Sequence, residues 1–218
     1  MNDADRIHAL QELSTTHLSD AMDRLGIPGQ CYGIMPLDRS FRLAGRAFTL
    51  RYGPVGQDPG SVGDFIDDVG PGQIVVIDNS GRTDATIWGD LLTSTAARRG
   101  VGGTVIDGVC RDTDRIHELR YPVYSRGHWM RTGKDRVRLE SIGTPVSIGG
   151  VRVEQDDFLR GDGDGLVAIP AARIDEVLEA AFEIHTAEER IRALVEAGSG
   201  LREARAQHGY HKLQTRKR

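Results

Sequence analysis

The sequence predicts a single-domain α/β protein with layered sheets. Three observations lead to this prediction. The middle of the chain alternates apolar runs of strand length with segments of helical periodicity, a stretch rich in short β segments follows, and both ends of the chain have helical patterns. The 218 residues are enough for one well-buried core, and no linker divides them. We therefore predict one domain over residues 1–218, with a frayed basic tail at about 208–218.

The first part of the chain predicts helices and one strand. Residues 3–12 and 16–25 each carry an apolar stripe at helical spacing, and Gly26 provides a C-terminal stop for the second helix. The segment RAFTLRY (46–52) predicts a strand, and a turn-rich loop follows it. A short helix is predicted over Asp64–Val69, before a Gly-Pro-Gly turn.

The middle of the chain predicts three buried strands joined by helices. Continuous apolar runs at Gln73–Asp78, Gly103–Asp107 and Pro122–Ser125 have the length of strands. A helix over 86–99 is predicted between the first two, and a short helix over Asp112–Leu119 between the second and third. The apolar face expected for the first of these helices comprises Ile87, Trp88, Leu91, Leu92, Thr95 and Ala96.

The last third predicts short strands and then one long helix. Residues 144–169 contain the β segments TPVSI, VRVE and GLVAI, separated by glycines and polar turns. Pro170 can begin a helix over about 171–197, and Gly198 ends it.

Composition excludes several classes of protein. The formal charge of −4 argues against non-specific nucleic-acid binding by the whole surface. No apolar run approaches the roughly 20 residues needed to cross a bilayer, and the polar N-terminus has no pattern of a secretion signal. Cys31 and Cys110 form no metal-type spacing, so reduced thiols are expected. We expect a cytoplasmic protein that has no membrane partner and binds no nucleic acid directly.

Lysine usage limits the possible mechanisms. The only lysines are Lys134, Lys212 and Lys217, and the last two lie in the predicted tail. Because a Schiff-base enzyme needs a lysine whose amine is desolvated in a pocket, only Lys134 could serve that role.

Familiar site motifs fail on their context. The glycines at 100–103 follow a helix and precede a strand, the reverse of a dinucleotide-binding turn. Asp162 and Asp164 lie in a segment that lacks the spacing of a calcium loop. The seven histidines show no clustered metal spacing, and no serine-hydrolase elbow is present.

Two segments remain as candidates for a site. Gly89-Asp90-Leu91-Leu92 lies in the opening turn of a predicted helix, whose free N–H groups and positive dipole end can bind a carboxylate. In the second segment, a buried strand ends at Asp107, and a short connection delivers Arg111 and Asp112 to the start of the next helix. The carboxyl ends of strands in α/β sheets face the usual ligand crevice.

Each feature also has an ordinary structural interpretation. Asp112 could be a helix N-cap, which contributes about 1 kcal/mol, and capping does not exclude metal binding. Arg111 could be a surface or ion-pair arginine. The segment from Gly89 to Leu92 could be a helix start with two core leucines.

The order and spacing of GDLL (89–92) and Arg111-Asp112 resemble the RraA-like family, which includes the 4-hydroxy-4-methyl-2-oxoglutarate aldolases. The resemblance covers most of the chain, from Thr16 to the long helix. It extends to LSDAMDRLG (18–26), GRAFT (45–49), PGQIVVID (71–78) and GDGDGLVAIP (161–170). It implies a swivelling-type sandwich of two β layers and an α layer, assembled as homotrimers or homohexamers with active sites between subunits.

The resemblance also implies a chemistry. Asp112 would be the one protein ligand of Mg²⁺ or Mn²⁺, and Asp90 would order metal-bound water. Arg111 would bind the carboxylate and keto oxygen of a pyruvate-like unit, and the amides around Gly89, Asp90, Leu91 and Leu92 would complete that site. The implied activity is cleavage of a C–C bond next to a 2-keto acid through a pyruvate enolate, with decarboxylation of oxaloacetate as a related reaction.

Several questions stay open at this level. The alternative function is a non-catalytic RraA-type regulator of ribonuclease E. Glu188 or Glu189 could supply a distal acid from a neighbouring subunit, although a solvated helix face explains both. Residues expected to line an outer pocket come from the segments 51–63 and 127–143, namely Tyr52, Gln57, Trp129 and Lys134. Cys110 is expected to be a packed apolar residue and not a nucleophile, because no histidine pairs with it.

Overall fold

The computed structural model describes residues 1–56 and 63–209. Gln57, Lys212, Lys217 and most of the predicted basic tail lie outside the described residues. The α-helices of the described part are α1 (Asp3–Glu12), α2 (Thr15–Leu25), α3 (Asp90–Arg99), α4 (Thr113–Glu118), α5 (Ile174–Glu196) and α6 (Leu201–Gln207). The strands are β1 (Met35–Pro36), β2 (Leu43–Pro54), β3 (Ile74–Thr86), β4 (Gly103–Val109), β5 (Val123–Ser125), β6 (Val137–Ile142), β7 (Val146–Ile148), β8 (Val151–Val153), β9 (Phe158–Asp162) and β10 (Gly165–Ile169). Short 3-10 helices lie at Asp64–Asp68 and Ala171–Arg173.

One mixed sheet organises the described chain. Its strand order is β1-β5-β4-β3-β2-β9-β10, and β6 pairs with β2 beside this path. Strands β2, β3, β4 and β5 are parallel, as the alternation of strands and helices predicts, whereas the outer pairings are antiparallel. The edge strands β1 and β10 contact each other, so the sheet nearly closes on itself. A separate hairpin, β7–β8, packs against β3 and β4.

The hydrophobic residues form two clusters on opposite faces of β9 and β10. Leu159 and Ala168 belong to the larger cluster, which lies among β2 to β5 and the hairpin β7–β8. Their neighbours Phe158, Val167 and Ile169 point into a second cluster with α1, α2 and α5. This follows from the period of two in a strand, which sends successive side chains to opposite faces. The β9–β10 pair is therefore buried on both sides.

Two buried aspartates, one in β3 and one in β4, hold the hairpin β7–β8 against the sheet. Asp78 and Asp107 are register partners on the two strands. Asp78 accepts the N–H of Ser147 at 3.0 Å, and Asp107 accepts the N–H of Gly149 at 2.9 Å. Asp107 also pairs with Arg126. Because each buried carboxylate has hydrogen-bond partners, the apolar runs within β3 and β4 can be followed by charged residues without a large desolvation cost.

The predicted helix over 86–99 begins later than expected, at Asp90. Thr86 still belongs to β3, where it pairs with Val109 and donates its N–H to the Arg131 carbonyl at 3.0 Å. Gly89 is extended, with φ −154°, and is the N-cap. The predicted apolar face is therefore wrong in part, because Leu91 is 78% exposed.

Three short strands and the last helix were not predicted from the sequence. In β9, the buried charged residues Arg160 and Asp162 conceal the strand pattern. Arg160 is satisfied by backbone carbonyls, including those of Leu13 and Leu43, and Asp162 accepts from Thr15. The other missed elements are β1, β6 and α6, all short or half-exposed. The remaining predicted elements are present with shifted ends.

Within residues 1–56 and 63–209, no helix combines the length and the apolar character needed to span a membrane.

Candidate active site

The two segments singled out in the sequence run side by side beyond the carboxyl ends of β3 and β4. The N–H of Arg111 donates to the carbonyl of Trp88 at 2.9 Å, which joins the connection before α3 to the connection before α4. On its other side, Cys110 pairs with the loop after β5, donating to the Gly127 carbonyl and accepting from the Trp129 N–H at 2.8 Å. The backbone around Arg111 is thus fixed by both neighbouring connections.

Asp112 occupies the N-cap position of α4, but its side chain does not cap that helix. Its backbone is left-handed, with φ 56° and ψ 45°, a conformation that is uncommon outside glycine and that asparagine and aspartate adopt more often than other residues. In this conformation Oδ2 accepts the N–H of Asp90 at 3.1 Å and lies 3.3 Å from Nε of Arg111. Asp112 therefore lies at the N-cap position of α4, but its carboxylate does not cap the helix. Strained backbone that directs a side chain in this way is frequent at functional sites.

Gly89 is required by the close approach of Asp112 and Arg111. A Cβ at this position would lie 2.6 Å from Oδ2 of Asp112 and 3.2 Å from Nε of Arg111. Since the φ of Gly89 is extended, the restriction comes from space and not from the backbone conformation.

Two N–H groups in the first turn of α3 donate to carboxylates of the site. Asp90 directs its N–H to Asp112, and its own Oδ1 accepts the N–H of Leu91 at 2.8 Å. The dipole of a helix places partial positive charge at this end, which favours a bound carboxylate. The side chain of Leu91 is exposed, and Leu92 is half-buried against the core.

A pocket of about 210 Å³ opens beside these residues. Its walls combine the start of α3 with Arg111, the end of β3 and the loop before β6. The lining residues are Gly63, Thr86, Ile87, Trp88, Gly89, Asp90, Leu91, Leu92, Arg111, Thr132, Gly133 and Lys134. All four residues of the GDLL segment and Arg111 therefore share one pocket, and Asp112 adjoins it through its hydrogen bond with Asp90. Arg111 and Lys134 give the described pocket wall its two cationic side chains.

Lys134 reaches the pocket because the loop before β6 is held against the end of β3. Thr86 bonds the Arg131 carbonyl through both its N–H and its hydroxyl, and the Lys134 N–H donates to the Thr132 hydroxyl at 3.2 Å. A Cβ on Gly133 would lie 2.2 Å from the Thr86 carbonyl, so only glycine allows this contact. Among the outer-pocket predictions, Lys134 is confirmed as a lining residue.

The other outer-pocket predictions are not met by the described residues. Trp129 and Tyr52 do not line the pocket: Trp129 is 45% exposed, and Tyr52 is buried in the core. Gln57 lies outside the described residues. Thr86, Trp88 and Thr132 line the pocket and were not expected to do so, because their placement depends on pairing between β3 and a loop distant in sequence.

Cys110 adjoins Arg111 but has the environment of a packed residue. It is fully buried, and burial raises the pKa of its thiol to about 11. Cys31 is also buried and unpaired, and burial raises its pKa to about 12. Neither thiol has the environment of a nucleophile.

The acids considered for a distal role lie elsewhere in the described chain. Glu188 lies 3.3 Å from Nε2 of His17, and Glu189 pairs with Arg192 on the same helix. Neither glutamate lines the pocket of its own chain. A role in the pocket of a neighbouring subunit stays a prediction.

The donors at Asp112 fit a divalent ion that is held mostly by water and substrate. Among the described residues no cluster of three or more histidine, cysteine, aspartate or glutamate side chains could enclose a metal. Within the described residues, Oδ2 of Asp112 contacts the Asp90 N–H and Nε of Arg111, whereas Oδ1 accepts no hydrogen bond. One free carboxylate oxygen at an accessible position suits Mg²⁺, which keeps several of its own waters.

The chain is similar to several known proteins. The chain matches the sequence model described as Aldolase/RraA, of the RraA-like group, over residues 15–168. It is 38% identical to Protein DlpA of Legionella pneumophila over 92% of this chain and 34% of DlpA, so it spans about a third of that relative. It is 31% identical to a protein of Halalkalibacterium halodurans provisionally named a 4-hydroxy-4-methyl-2-oxoglutarate aldolase, over 81% of this chain and 82% of that protein.

Two solved structures share the fold. An uncharacterized protein from Pseudomonas syringae pv. tomato superimposes with a TM-score of 0.87 and 38% identity, covering 93% of this chain and 97% of the other. RraAS2 of Streptomyces coelicolor, described as an unusual member of the RNase ES inhibitor RraA protein family, gives 0.81 and 27%, covering 88% and 97%. These likenesses confirm the fold that the resemblance implied.

Proposed function

This chain belongs to the RraA-like family, and on that basis we propose that it is a divalent-metal-dependent lyase that cleaves a C–C bond next to a 2-keto acid. The proposed reaction passes through a pyruvate enolate. The substrate class is that of 4-hydroxy-4-methyl-2-oxoglutarate, with decarboxylation of oxaloacetate as a second activity. The observation that supports this most is the meeting of Arg111, Asp112 and the first turn of α3 at one small pocket.

Substrate binding is assigned to Arg111 and the start of α3. A guanidinium presents parallel N–H donors that match a carboxylate and an adjacent keto oxygen, and these charge-assisted hydrogen bonds are the strong ones. The N–H groups and positive dipole end at Gly89 to Leu92 favour the same negative charge. The side chain of Lys134, which also lines the pocket, offers a second cation to a dicarboxylate.

Asp112 is assigned to hold the divalent ion, with Asp90 in the surrounding shell. A bound Mg²⁺ or Mn²⁺ would supply electrostatic stabilisation of the enolate. The hydrogen bond from Asp90 N–H and the contact with Arg111 fix the Asp112 carboxylate in one orientation. Arg111 provides fixed positive charge where the keto oxygen becomes negative, so no lysine imine is required.

The proposed cleavage is redox-neutral and needs no oxidant or reductant. In the aldol cleavage, the hydroxyl of the substrate loses its proton, the C–C bond breaks, and its electron pair forms the enolate of pyruvate. Protonation of that enolate carbon gives pyruvate, and the other fragment leaves as a carbonyl compound. With oxaloacetate, the leaving fragment is CO₂ and the same enolate is protonated.

Pyruvate release is the test of this proposal. Wild type, Arg111→Ala and Asp112→Ala would be assayed with 4-hydroxy-4-methyl-2-oxoglutarate and with oxaloacetate, in Mg²⁺ and in EDTA. The proposal requires turnover by wild type that EDTA stops and that both substitutions abolish. An inactive, folded and Mg²⁺-loaded wild type would exclude these substrates.

Regulation of ribonuclease E is the second candidate. The likeness to RraAS2 of Streptomyces coelicolor favours it, since that protein is described within an RNase ES inhibitor family. A purified ribonuclease E would be assayed for RNA cleavage with and without this chain. Inhibition that persists in Asp112→Ala would support a regulatory surface separate from the pocket, and the absence of inhibition would remove this candidate.

We also propose that the chain assembles as a homotrimer or homohexamer, with Glu188 or Glu189 of a neighbour beside the pocket. Light scattering after size exclusion would measure the mass of the assembly. Glu188→Gln and Glu189→Gln would then be compared for turnover. A monomeric active enzyme would contradict this part of the proposal.

A further inference from the structure

Trp88 contacts both halves of the candidate site. Its carbonyl accepts the N–H of Arg111, and its indole Nε1 donates to the hydroxyl of Thr93 at 2.9 Å. The Thr93 hydroxyl in turn lies 2.8 Å from the carbonyl of Gly89, which also accepts the Thr93 N–H at 3.0 Å. One tryptophan therefore connects the backbone of Arg111 with the residue that caps α3.

The direction of these hydrogen bonds is determined by the chemistry of the donors. An indole N–H can only donate, so the Thr93 hydroxyl must accept from Trp88. The single hydroxyl proton of Thr93 is then available to the Gly89 carbonyl. Trp88 is 1% exposed and Thr93 is fully buried, so water cannot replace either bond.

The network is anchored in the sheet. The ring of Trp88 stacks on Tyr121 with centroids 6.0 Å apart and an interplanar angle of 8°. The Tyr121 hydroxyl lies 2.9 Å from the hydroxyl of Thr104, in β4. A rigid, buried path thus runs from β4 to the first turn of α3.

We propose that Trp88 and Thr93 are positioning residues for the site. The hydrogen bond from Trp88 orients the Thr93 hydroxyl, which donates to the Gly89 carbonyl. Through the same peptide unit, the bond from the Thr93 hydroxyl fixes the direction of the Asp90 N–H that the Asp112 carboxylate accepts. Loss of this bond would let the first turn of α3 rotate, and the Asp112 carboxylate would lose its orientation. The effect on turnover rests on the proposed lyase function, whereas the effect on the Asp90 N–H does not.

Thr93→Val tests the proposal with little change in shape. We expect kcat for pyruvate release to fall on the order of tenfold to hundredfold, because a misplacement of about 1 Å can cost that much. KM should change less than about threefold, since the bond from Arg111 N–H to the Trp88 carbonyl remains. Thr93→Ser, which restores the hydroxyl, should recover most of the activity.

The matched control is Thr49→Val in β2, which removes another fully buried hydroxyl. That hydroxyl donates to the side chain of Gln155, which is distant in sequence. It should lower stability by an amount similar to Thr93→Val and leave kcat unchanged. Equal losses of kcat in both variants would overturn the proposal. If Thr93→Val does not fold, Trp88→Phe removes the same bond from its other side, and unaltered kinetics in that variant would also overturn it.

Hydrogen exchange tests the positioning role of Thr93 independently of the proposed reaction. In the absence of any substrate, the Asp90 N–H should exchange faster in Thr93→Val than in wild type, and Thr49→Val should leave it unchanged. Unaltered protection in Thr93→Val would overturn the positioning role. An inactive wild type with faster exchange in Thr93→Val would instead contradict the lyase and leave the positioning role intact.

Discussion

Oδ2 of Asp112 accepts the N–H of Asp90 at 3.1 Å across 22 residues of sequence. This bond couples the starts of α3 and α4, and it exists because Asp112 adopts a left-handed backbone and Gly89 has no side chain. A carboxylate restrained in this way cannot rotate to cap its own helix. The Asp112 side chain is 38% exposed, so a hydrated cation can approach its second oxygen.

The lack of room for a side chain at Gly89 predicts a sharp loss of activity in Gly89→Ala. The added Cβ would press on the Asp112 carboxylate and the Arg111 side chain, which must both move. We expect pyruvate release to fall about a hundredfold, since displacements of about 1 Å at reacting groups have such effects. Gly200→Ala is the control, because a Cβ there meets nothing within 4 Å. Activity in Gly89→Ala equal to that of the control would contradict the packing described above.

Arg111→Lys keeps the charge and removes the planar pair of donors. Charge-assisted hydrogen bonds contribute about 1.5–3 kcal/mol each, so loss of one should reduce kcat/KM by about 10- to 150-fold. Arg98→Lys, at an exposed arginine in the last turn of α3, provides the control. Steady-state kinetics would check this, and a change of less than threefold in Arg111→Lys would show that Arg111 does not bind the substrate.

Elements with local signals could be predicted from the sequence. The strands β3, β4 and β5 are continuous apolar runs, and α2 and α3 end at left-handed glycines, Gly26 and Gly100. The GDLL segment was singled out as a helix start and Arg111-Asp112 as residues beyond the end of a strand, and their order and spacing linked the two. The resemblance to a family supplied their roles.

Features that depend on distant contacts could not be predicted. The conformation of Asp112 depends on the bond between the Arg111 N–H and the Trp88 carbonyl, which no local pattern encodes. The position of Lys134 depends on Thr86, which lies in another strand. The strand β9 was missed because its charged residues Arg160 and Asp162 do not look like residues of a buried strand. They can be buried because they form hydrogen bonds with partners about 147 residues away in sequence.

Asp162 should make stability depend on acid pH. Burial alone would raise the pKa of this carboxyl, but hydrogen bonds from the Thr15 N–H and hydroxyl and from the Asp164 N–H, with nearby Arg160, outweigh burial and lower it. A lowered folded-state pKa contributes stability above the unfolded pKa of about 3.9, and that contribution is lost as pH falls through the folded value.

Asp162→Asn should therefore reduce the free energy of unfolding by about 1.5–3 kcal/mol near neutral pH. The difference from wild type should shrink below about pH 4, where the carboxyl of the unfolded chain begins to protonate, and vanish as pH falls through the lower folded-state pKa. Urea unfolding at both pH values would measure this. A difference that does not depend on pH would show that the charge of Asp162 contributes nothing.

The thiols should be unreactive in the folded protein. Burial raises the pKa of Cys110 to about 11, so its thiolate fraction near neutral pH is small, and the side chain is fully covered. Iodoacetamide should modify Cys31 and Cys110 only after unfolding, as followed by intact mass. Fast modification of Cys110 in folded protein, with loss of turnover, would instead indicate a reactive thiol beside Arg111.

Binding of Mn²⁺, followed by electron paramagnetic resonance, tests most directly whether Asp112 holds a divalent ion. Asp112→Asn is the informative variant, because asparagine tolerates a left-handed backbone and can still accept the Asp90 N–H. Asp114→Asn, an exposed carboxylate in the first turn of α4, is the matched control. Wild type and Asp114→Asn should bind Mn²⁺ in competition with Mg²⁺, and Asp112→Asn should not. Equal Mn²⁺ binding by Asp112→Asn and wild type would contradict the assignment of the metal to Asp112.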